Sequence, residues 1–198
     1  MEFNLDQFQI DAVESIKKDF NVLVVAPTGS GKTFIAEQAI EKYTKQNQNV
    51  IYTTPIKALS NQKYNDFLDL GIDTGLLTGD RTISPDSELI VATTEILRNM
   101  IYANDKRLEK IGLIVLDEVH YLSDSERGTT WEEIIIHAPS NIKFLFLSAT
   151  IRNNEEFHNW IVSLRGKTSL IKSEIRPFPL EISLVGVNPH NDQLKIIK

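Results

Sequence analysis

Residues 26–33 read Ala-Pro-Thr-Gly-Ser-Gly-Lys-Thr, and this run constrains the fold more than any other segment of the chain. Before it lies an unbroken apolar stretch, Val22 to Ala26; after it, Phe34, Ile35, Ala39, Ile40 and Tyr43 recur at spacings of one, three and four. A short run of branched apolar residues predicts a buried strand, and the recurring stripe predicts a helix buried along one face. A glycine-rich turn between the two lets backbone N–H groups point inward, while the start of the helix adds its partial positive charge. That is a cradle for phosphate.

The same pattern of strand followed by helix repeats along the chain. Further apolar runs at Val50 to Thr54, Thr74 to Leu77, Leu89 to Ala92, Leu113 to Leu116 and Lys143 to Leu147 read as strands buried on both faces. Asp6 is placed to cap a first helix that buries Phe8, Ala12, Val13, Ile16 and Phe20, and helices are predicted from Ala58 to Leu70, Thr94 to Tyr102 and Glu155 to Leu164. Such alternation predicts an α/β fold, an open, mainly parallel doubly wound sheet whose ligand lies at the carboxyl ends of the strands. Residues 28–33, Thr54-Pro55, Thr78-Gly79, Thr93-Thr94, Asp117-Glu118 and residues 148–150 all follow a predicted strand, so they should share one rim. Past Leu170 the pattern breaks at Arg176-Pro177-Phe178-Pro179-Leu180, a proline-stiffened exit. Residues 1–175 are therefore expected to form one domain and 176–198 a connector.

Composition narrows the function classes. With 41% hydrophobic and 24% charged residues the chain has ordinary globular usage. The absence of cysteine excludes a disulfide framework and thiolate metal sites, leaving oxygen-ligated metal. No apolar run approaches the roughly 18 residues of a membrane span, and the acidic start lacks the basic region of a signal peptide, so a soluble, cytoplasmic protein is expected, with the isolated domain taken as a monomer. A formal charge of −6 argues against a broad positive field for nucleic acid. Binding of that kind has to be local, carried by small basic groups such as Lys57 and Lys63, Arg98 with Lys106, Arg107 and Lys110, or Arg165 and Lys167.

Within the phosphate loop, Thr28, Gly29, Ser30 and Gly31 supply the cradle, Lys32 is placed to reach the outer phosphates of a nucleotide, and the Thr33 hydroxyl suits Mg²⁺. Ala26 stands where the strictest form of the motif has glycine. Asp117-Glu118-Val119-His120 follows the apolar run from Ile111 to Leu116, so two adjacent carboxylates emerge at a strand end. Negative charge beside an apolar strand is costly unless a cation neutralises it, and the Mg²⁺ held by Thr33 is the natural partner of Asp117. Glu118 is then the candidate general base toward water.

Taken together, residues 26–33, Asp-Glu-Val-His and Ser148-Ala149-Thr150 resemble motifs I, II and III of superfamily-2 helicases. The run from Asp124 to Ile136 and Thr93-Thr94-Glu95-Ile96-Leu97-Arg98-Asn99-Met100 further resemble the superkiller-like branch, the DExH-box RNA helicases of RNA decay and maturation. The likeness runs from Phe3 to about Leu180 and implies a RecA-like P-loop NTPase domain that uses ATP and Mg²⁺.

The resemblance also implies roles position by position. Leu5-Asp6-Gln7-Phe8-Gln9 is similar to the Q-motif, in which Gln9 reads the adenine edge and Phe3 either stacks on the ring or packs on the core. Thr54-Pro55 with Lys57, Thr78-Gly79, and Thr93-Thr94-Glu95 with Arg98 resemble the motifs that line a track for single-stranded RNA; singly, each is also a helix-capping pattern. His120, Ser148 and Thr150 would couple nucleotide to strand. Trp131 reads as a core anchor rather than a base-stacking platform. No Gln-x-x-Gly-Arg-x-Gly-Arg run is present to furnish the arginines of a second RecA-like domain. The resemblance therefore implies a fragment that binds nucleotide but hydrolyses weakly, with the second domain as its partner in cis. A stand-alone binding half-clamp, a different P-loop NTPase and a DNA helicase stay open beside RNA.

Overall fold

The computed structural model describes residues 5–119, 128–149 and 153–175, with the backbone alone at 128, 184–187 and 194–197. The elements in chain order are α1 (Gln7–Lys17), β1 (Asn21–Val25), α2 (Lys32–Thr44), β2 (Asn49–Thr54), α3 (Lys57–Asp69), β3 (Thr74–Leu77), β4 (Thr82–Ile83), β5 (Leu89–Thr93) and α4 (Thr94–Tyr102). After a 3-10 turn (Lys106–Lys110) come β6 (Ile111–Leu116), α5 (Gly128–His137), β7 (Lys143–Ser148), α6 (Asn154–Arg165), β8 (Thr168–Lys172), β9 (Leu184–Val187) and β10 (Leu194–Ile197).

Eight strands form one sheet in the order β4-β3-β5-β2-β6-β7-β1-β8. Every pair of neighbours is parallel except β3 with β4, which close an antiparallel hairpin. β9 and β10 pair antiparallel with each other. The predicted α/β, mainly parallel sheet is thus present, and its six expected strands correspond to β1, β2, β3, β5, β6 and β7.

Alternation of side chains along the strands feeds two cores. Val22 and Val24 of β1 pack with Val50, Tyr52, Leu113 and Val115 beneath α1, α2 and α3, which contribute Phe8, Ala12, Ile16, Ile35, Ala39, Ile40 and Phe67. On the other face Leu23, Ile51, Ile114 and Leu116 meet Leu97, Met100, Trp131, Ile134, Ile135 and Ile161 from α4, α5 and α6. Both faces of the sheet are covered, which is why its central strands are continuous apolar runs. Trp131 is fully buried, as an anchor should be. Val13, Phe20 and Phe34, expected in the core, are only half-buried: α1 ends at Lys17, so Phe20 lies past it, where Lys167 stacks on its ring at 4.0 Å. Among the described residues no helix is long and apolar enough to cross a membrane.

Because the strands are parallel and their last residues are in register (Val25 with Ser148, Thr54 with Thr93, Thr53 with Leu116, Leu77 with Ala92), all their carboxyl ends reach one edge. The expected shared rim is the observed one for the described segments after β1, β2, β3, β5, β6 and β7.

Candidate active site

The loop from β1 to α2 is fastened at its start by the Ala26 N–H, which donates to Ser148 O at 3.0 Å, and turned within itself by Ser30 N–H to Pro27 O at 3.2 Å. Gly29 and Gly31 adopt φ of 81° and 86°, in the left-handed region that side chains with a Cβ disfavour. At Gly31 there is a second constraint, since a Cβ there would lie 2.4 Å from Gln9 Nε2. Gly31 is also the N-cap of α2 and offers no side chain to its first-turn amides, of which the Phe34 N–H turns back to Gly31 O at 3.1 Å.

Lys32, Thr33, Asp117 and Glu118 line a single cleft of about 390 Å³ together with Thr28, Gly29, Gly31, Thr54, Leu59, Gln62 and Lys63. The Lys32 ammonium donates to Ala26 O at 2.7 Å and Pro27 O at 3.0 Å, folded back on its own loop. Burial pulls its pKa below the ordinary lysine value, while the nearby Glu118 and Asp117 charges work against that shift. Across the cleft, Asp117 is 8% exposed and accepts from the Tyr52 hydroxyl at Oδ2 (2.5 Å) and from the Glu118 N–H at Oδ1 (2.9 Å). Tyr52 is fully buried, and burial followed by the Asp117 charge holds its phenol well above the ordinary value, so it stays a donor. Glu118 has φ of 58°, a left-handed conformation uncommon outside glycine and asparagine, and one that tends to persist at functional sites.

The donor set fits a hard divalent cation: one hydroxyl and two carboxylates meet in the cleft, all oxygen. No cluster of three or more His, Cys, Asp or Glu exists among the described residues. A cation here would need further oxygens from its ligand, as Mg²⁺ usually does with nucleotide phosphates.

Gln9, expected to read adenine, is 5% exposed. Its Oε1 accepts from the Asp6 N–H at 2.9 Å, and its Nε2 donates toward Ser30 O at 3.4 Å and Gly31 O at 3.3 Å. The structure thus places Gln9 against the β1–α2 loop. Phe3, His120 and Thr150 lie outside the described residues, as do Asp124 to Arg127 and the segment from Arg176 to Leu180.

Along the rim, Thr54, Pro55, Thr78, Thr93 and Thr94 are buried, while Lys57, Gly79 and Glu95 are exposed. The Thr54 hydroxyl donates to Ile56 O at 3.1 Å and shares a 2.7 Å bond with the Ser60 hydroxyl, bracing the entry to α3. Thr78 and Gly79 sit in the β3–β4 hairpin, where the Thr78 hydroxyl donates to Asp80 at 2.9 Å and Asp80 pairs with Lys57. Arg98, one-third exposed, lies 3.7 Å from Glu133. Neither α3 nor α4 has a side-chain hydrogen bond at its N-cap, so both present first-turn amides at this edge. Ser148 is fully buried at the end of β7, and its Oγ makes no hydrogen bond among the described residues.

Two residues the sequence did not single out for the site are part of it. Tyr52 could have been found, because a tyrosine inside an apolar strand needs a partner for its hydroxyl. Lys63 stood only among the basic groups; its approach to Thr33 at 3.3 Å spans two separate helices, and no local pattern announces it.

Comparisons with known proteins agree with this geometry. The family described as DEAD/DEAH box helicase matches residues 6–157. The DExH-box ATP-dependent RNA helicase DExH9 of Arabidopsis thaliana is 47% identical over 180 residues, 90% of this chain and 18% of that protein. The ATP-dependent RNA helicase mtr4 of Schizosaccharomyces pombe is 46% identical over 180 residues, again 90% of this chain and 16% of the relative. The chain therefore spans less than a fifth of the length of these two relatives. Among solved structures, the Hef helicase domain of Pyrococcus furiosus superposes with a TM-score of 0.64 at 26% identity, over 84% of this chain and 37% of that one. The DUF1998 helicase MrfA bound to DNA and AMPPNP has the same fold, with a TM-score of 0.70 at 22% identity over 84% of this chain and 27% of that one. With its glycine-rich loop, acidic strand end and seven of the eight strands of the sheet within the matched span, the chain belongs to the DEAD/DEAH box helicase family, and its relatives are DExH-box members of it.

Proposed function

We propose that this chain is the first RecA-like half of a superfamily-2 DExH-box helicase: it binds Mg·ATP in the cleft at the β1–α2 loop and a single strand of nucleic acid, RNA in preference, along the adjoining rim. The observation that carries this assignment is the convergence of Lys32, Thr33, Asp117 and Glu118 on one cleft. Residues 28–31 and the first turn of α2 would receive the phosphates, with Lys32 leaving Ala26 O and Pro27 O for the outer phosphate oxygens. Thr33 and Asp117 would hold Mg²⁺, which when bound neutralises phosphate charge and orients the outer phosphates. Glu118, which lines the cleft beside Asp117, would orient and deprotonate the attacking water. Gln9, with Phe3, would report on the base, and His120, Ser148 and Thr150 would pass the nucleotide state to the strand.

For the strand, the fitting groups are the exposed Lys57 and Gly79, the half-buried Arg98, and the uncapped amides of α3 and α4 after Thr54-Pro55 and Thr93-Thr94-Glu95. These are contacts to phosphate and sugar, blind to sequence. RNA is favoured because two relatives identical at nearly half of the aligned positions are RNA helicases by name; matched RNA and DNA strands in filter binding at stated salt separate the two. The second RecA-like domain would supply the arginines that the 198 residues lack as a Gln-x-x-Gly-Arg-x-Gly-Arg run.

The test is equilibrium binding of a fluorescent ATP analogue with Mg²⁺ to the parent and to Lys32→Ala and Asp117→Asn, each shown to be folded by circular dichroism. Loss of a charge-assisted contact should weaken binding by at least about tenfold in each variant. Uptake equal to the parent's in both would sink the assignment, helicase role included.

A further inference from the structure

Lys63 belongs to none of the motifs that carry the function above, yet it projects from α3 into the same cleft. Its side chain is only 17% exposed, and its Nζ donates to Thr33 Oγ1 at 3.3 Å. The nearest carboxylate in an ion pair is Asp66 at 3.7 Å, itself 45% exposed, which is a weak partner for an ammonium so far withdrawn from water. Glu37, on the same face of α2 one turn beyond Thr33, feels the Lys63 charge as a downward pull against the upward shift that burial gives its carboxyl. Three N–H donors thus have one long hydrogen bond among the described residues.

The position of that bond is informative. In the nucleotide assignment Thr33 Oγ1 would hold the metal, whose charge would offset that of the outer phosphates. An ammonium and a divalent cation repel one another and cannot both lie against that oxygen, so Lys63 has to move when the metal arrives. Its flexible four-carbon stem lets it travel to the nearest new anion. Beside the metal, at the Thr33 end of the cleft, that anion is the terminal phosphate.

We propose that Lys63 is a further nucleotide-contacting residue, which leaves Thr33 for the terminal phosphate of Mg·ATP and so sets the preference of the cleft for triphosphate over diphosphate; this rests on the nucleotide assignment above. It also gives α3 a stake in the outcome. Lys57, exposed in the first turn of the same helix and facing the rim, stands six residues and about 9 Å of helix rise from Lys63, so one rigid element touches both ligands.

The experiment is calorimetric or fluorescence titration of the 198-residue chain with Mg²⁺ and either a non-hydrolysable ATP analogue or ADP, for the parent, Lys63→Gln and Lys63→Arg. Lys63→Gln should bind the triphosphate about tenfold more weakly while ADP affinity stays within about twofold, and Lys63→Arg should recover most of the triphosphate affinity. An equal loss for both nucleotides would mean that Lys63 merely supports Thr33, and parental affinity for both nucleotides in a folded variant would mean that it does nothing; either overturns the proposal. Failure of the parent to bind either nucleotide, or full binding by Lys32→Ala, would instead bring down the nucleotide assignment itself, and Lys63 with it.

Discussion

At Asp117 the carboxylate leaves β6 with a hydrogen bond on each oxygen, from the Tyr52 hydroxyl and from the next residue's N–H. Each carboxylate oxygen still has a lone pair for a metal, so these bonds aim the group without using it up. Tyr52 is the more consequential partner, because it is fully buried between the sheet and Phe67, whose ring it meets edge-on at 5.1 Å. Tyr52→Phe keeps that packing and removes only the donor. We expect it to cost about 1–3 kcal/mol in urea unfolding without nucleotide, and Mg·ADP to restore part of the loss, since the cation replaces the missing positive end of a dipole. A variant as stable as the parent would show that Asp117 is oriented by other means. The residues legible in the sequence are those whose chemistry is written in consecutive letters, such as Lys32 with Thr33 and Asp117 with Glu118. Tyr52 lies 65 positions from its carboxylate and Lys63 lies 30 from its hydroxyl, distances that only the crossovers of the sheet close. Gln9 was legible as part of the site, but its placement against Ser30 O and Gly31 O was not, because that contact depends on how α1 docks on α2.

The elements that the sequence announces are those with a strong apolar period, and the ones it hides have physical reasons for doing so. β4 is two residues long, with Thr82 exposed and only Ile83 packed on the core, too short for a pattern. β8 is an edge strand paired only with β1, half-buried along its length, and its Thr-Ser start reads as a turn. In α5 three consecutive isoleucines mimic a strand, and only Ile134 and Ile135 are buried while Ile136 is 49% exposed. The end of α6 shows the opposite error, a residue grouped by charge that turns out to be structural. Arg165 donates to Ala138 O at 2.8 Å, Pro139 O at 2.7 Å and Ile142 O at 2.8 Å, and its guanidinium lies 4.8 Å from the Phe144 ring. It ties α6 to the turn that starts β7, at the amino end of the sheet, away from the rim. Nearby, Asn21 at the start of β1 joins the same knot through Arg165 O and the Phe144 N–H. Arg165→Met should therefore lower stability by about 2–4 kcal/mol in denaturant titration, from three carbonyls left without their charged donor, while nucleotide affinity of the folded protein is unchanged. A matching fall in nucleotide affinity would contradict the separation of this edge from the site.

Seen over the whole molecule, the two edges of the sheet divide the labour. The 3-10 turn with Lys106, Arg107 and Lys110 precedes β6, and Arg165 and Lys167 precede β8, so these cations gather at the amino end of the strands, where Arg165, Lys167 and Arg107 have internal partners. Lys32, Lys57, Lys63 and Arg98 follow strands and stand at the carboxyl end with the acidic pair. A chain with a net charge of −6 can thus still bring a few cations to this rim, interleaved with Asp80, Glu133 and the acidic pair, which fits a ligand held by local contacts rather than gripped by a broad field. The same geometry sets a limit on turnover. Among the described residues the cations lining the cleft, Lys32 and Lys63, belong to the sheet's own rim, and phosphoryl transfer gains on the order of 10³–10⁵ in rate when an arginine reaches the transition state from another element. On the proposed function, the 198 residues should hydrolyse Mg·ATP slowly and with little response to single-stranded RNA. Fusing them to the following segment of a DExH-box relative that carries the arginines should raise the phosphate-release rate by a factor of that order. Fast, RNA-stimulated release from the short chain would show that the catalytic set is already complete on this rim, and the half-site picture would have to be abandoned.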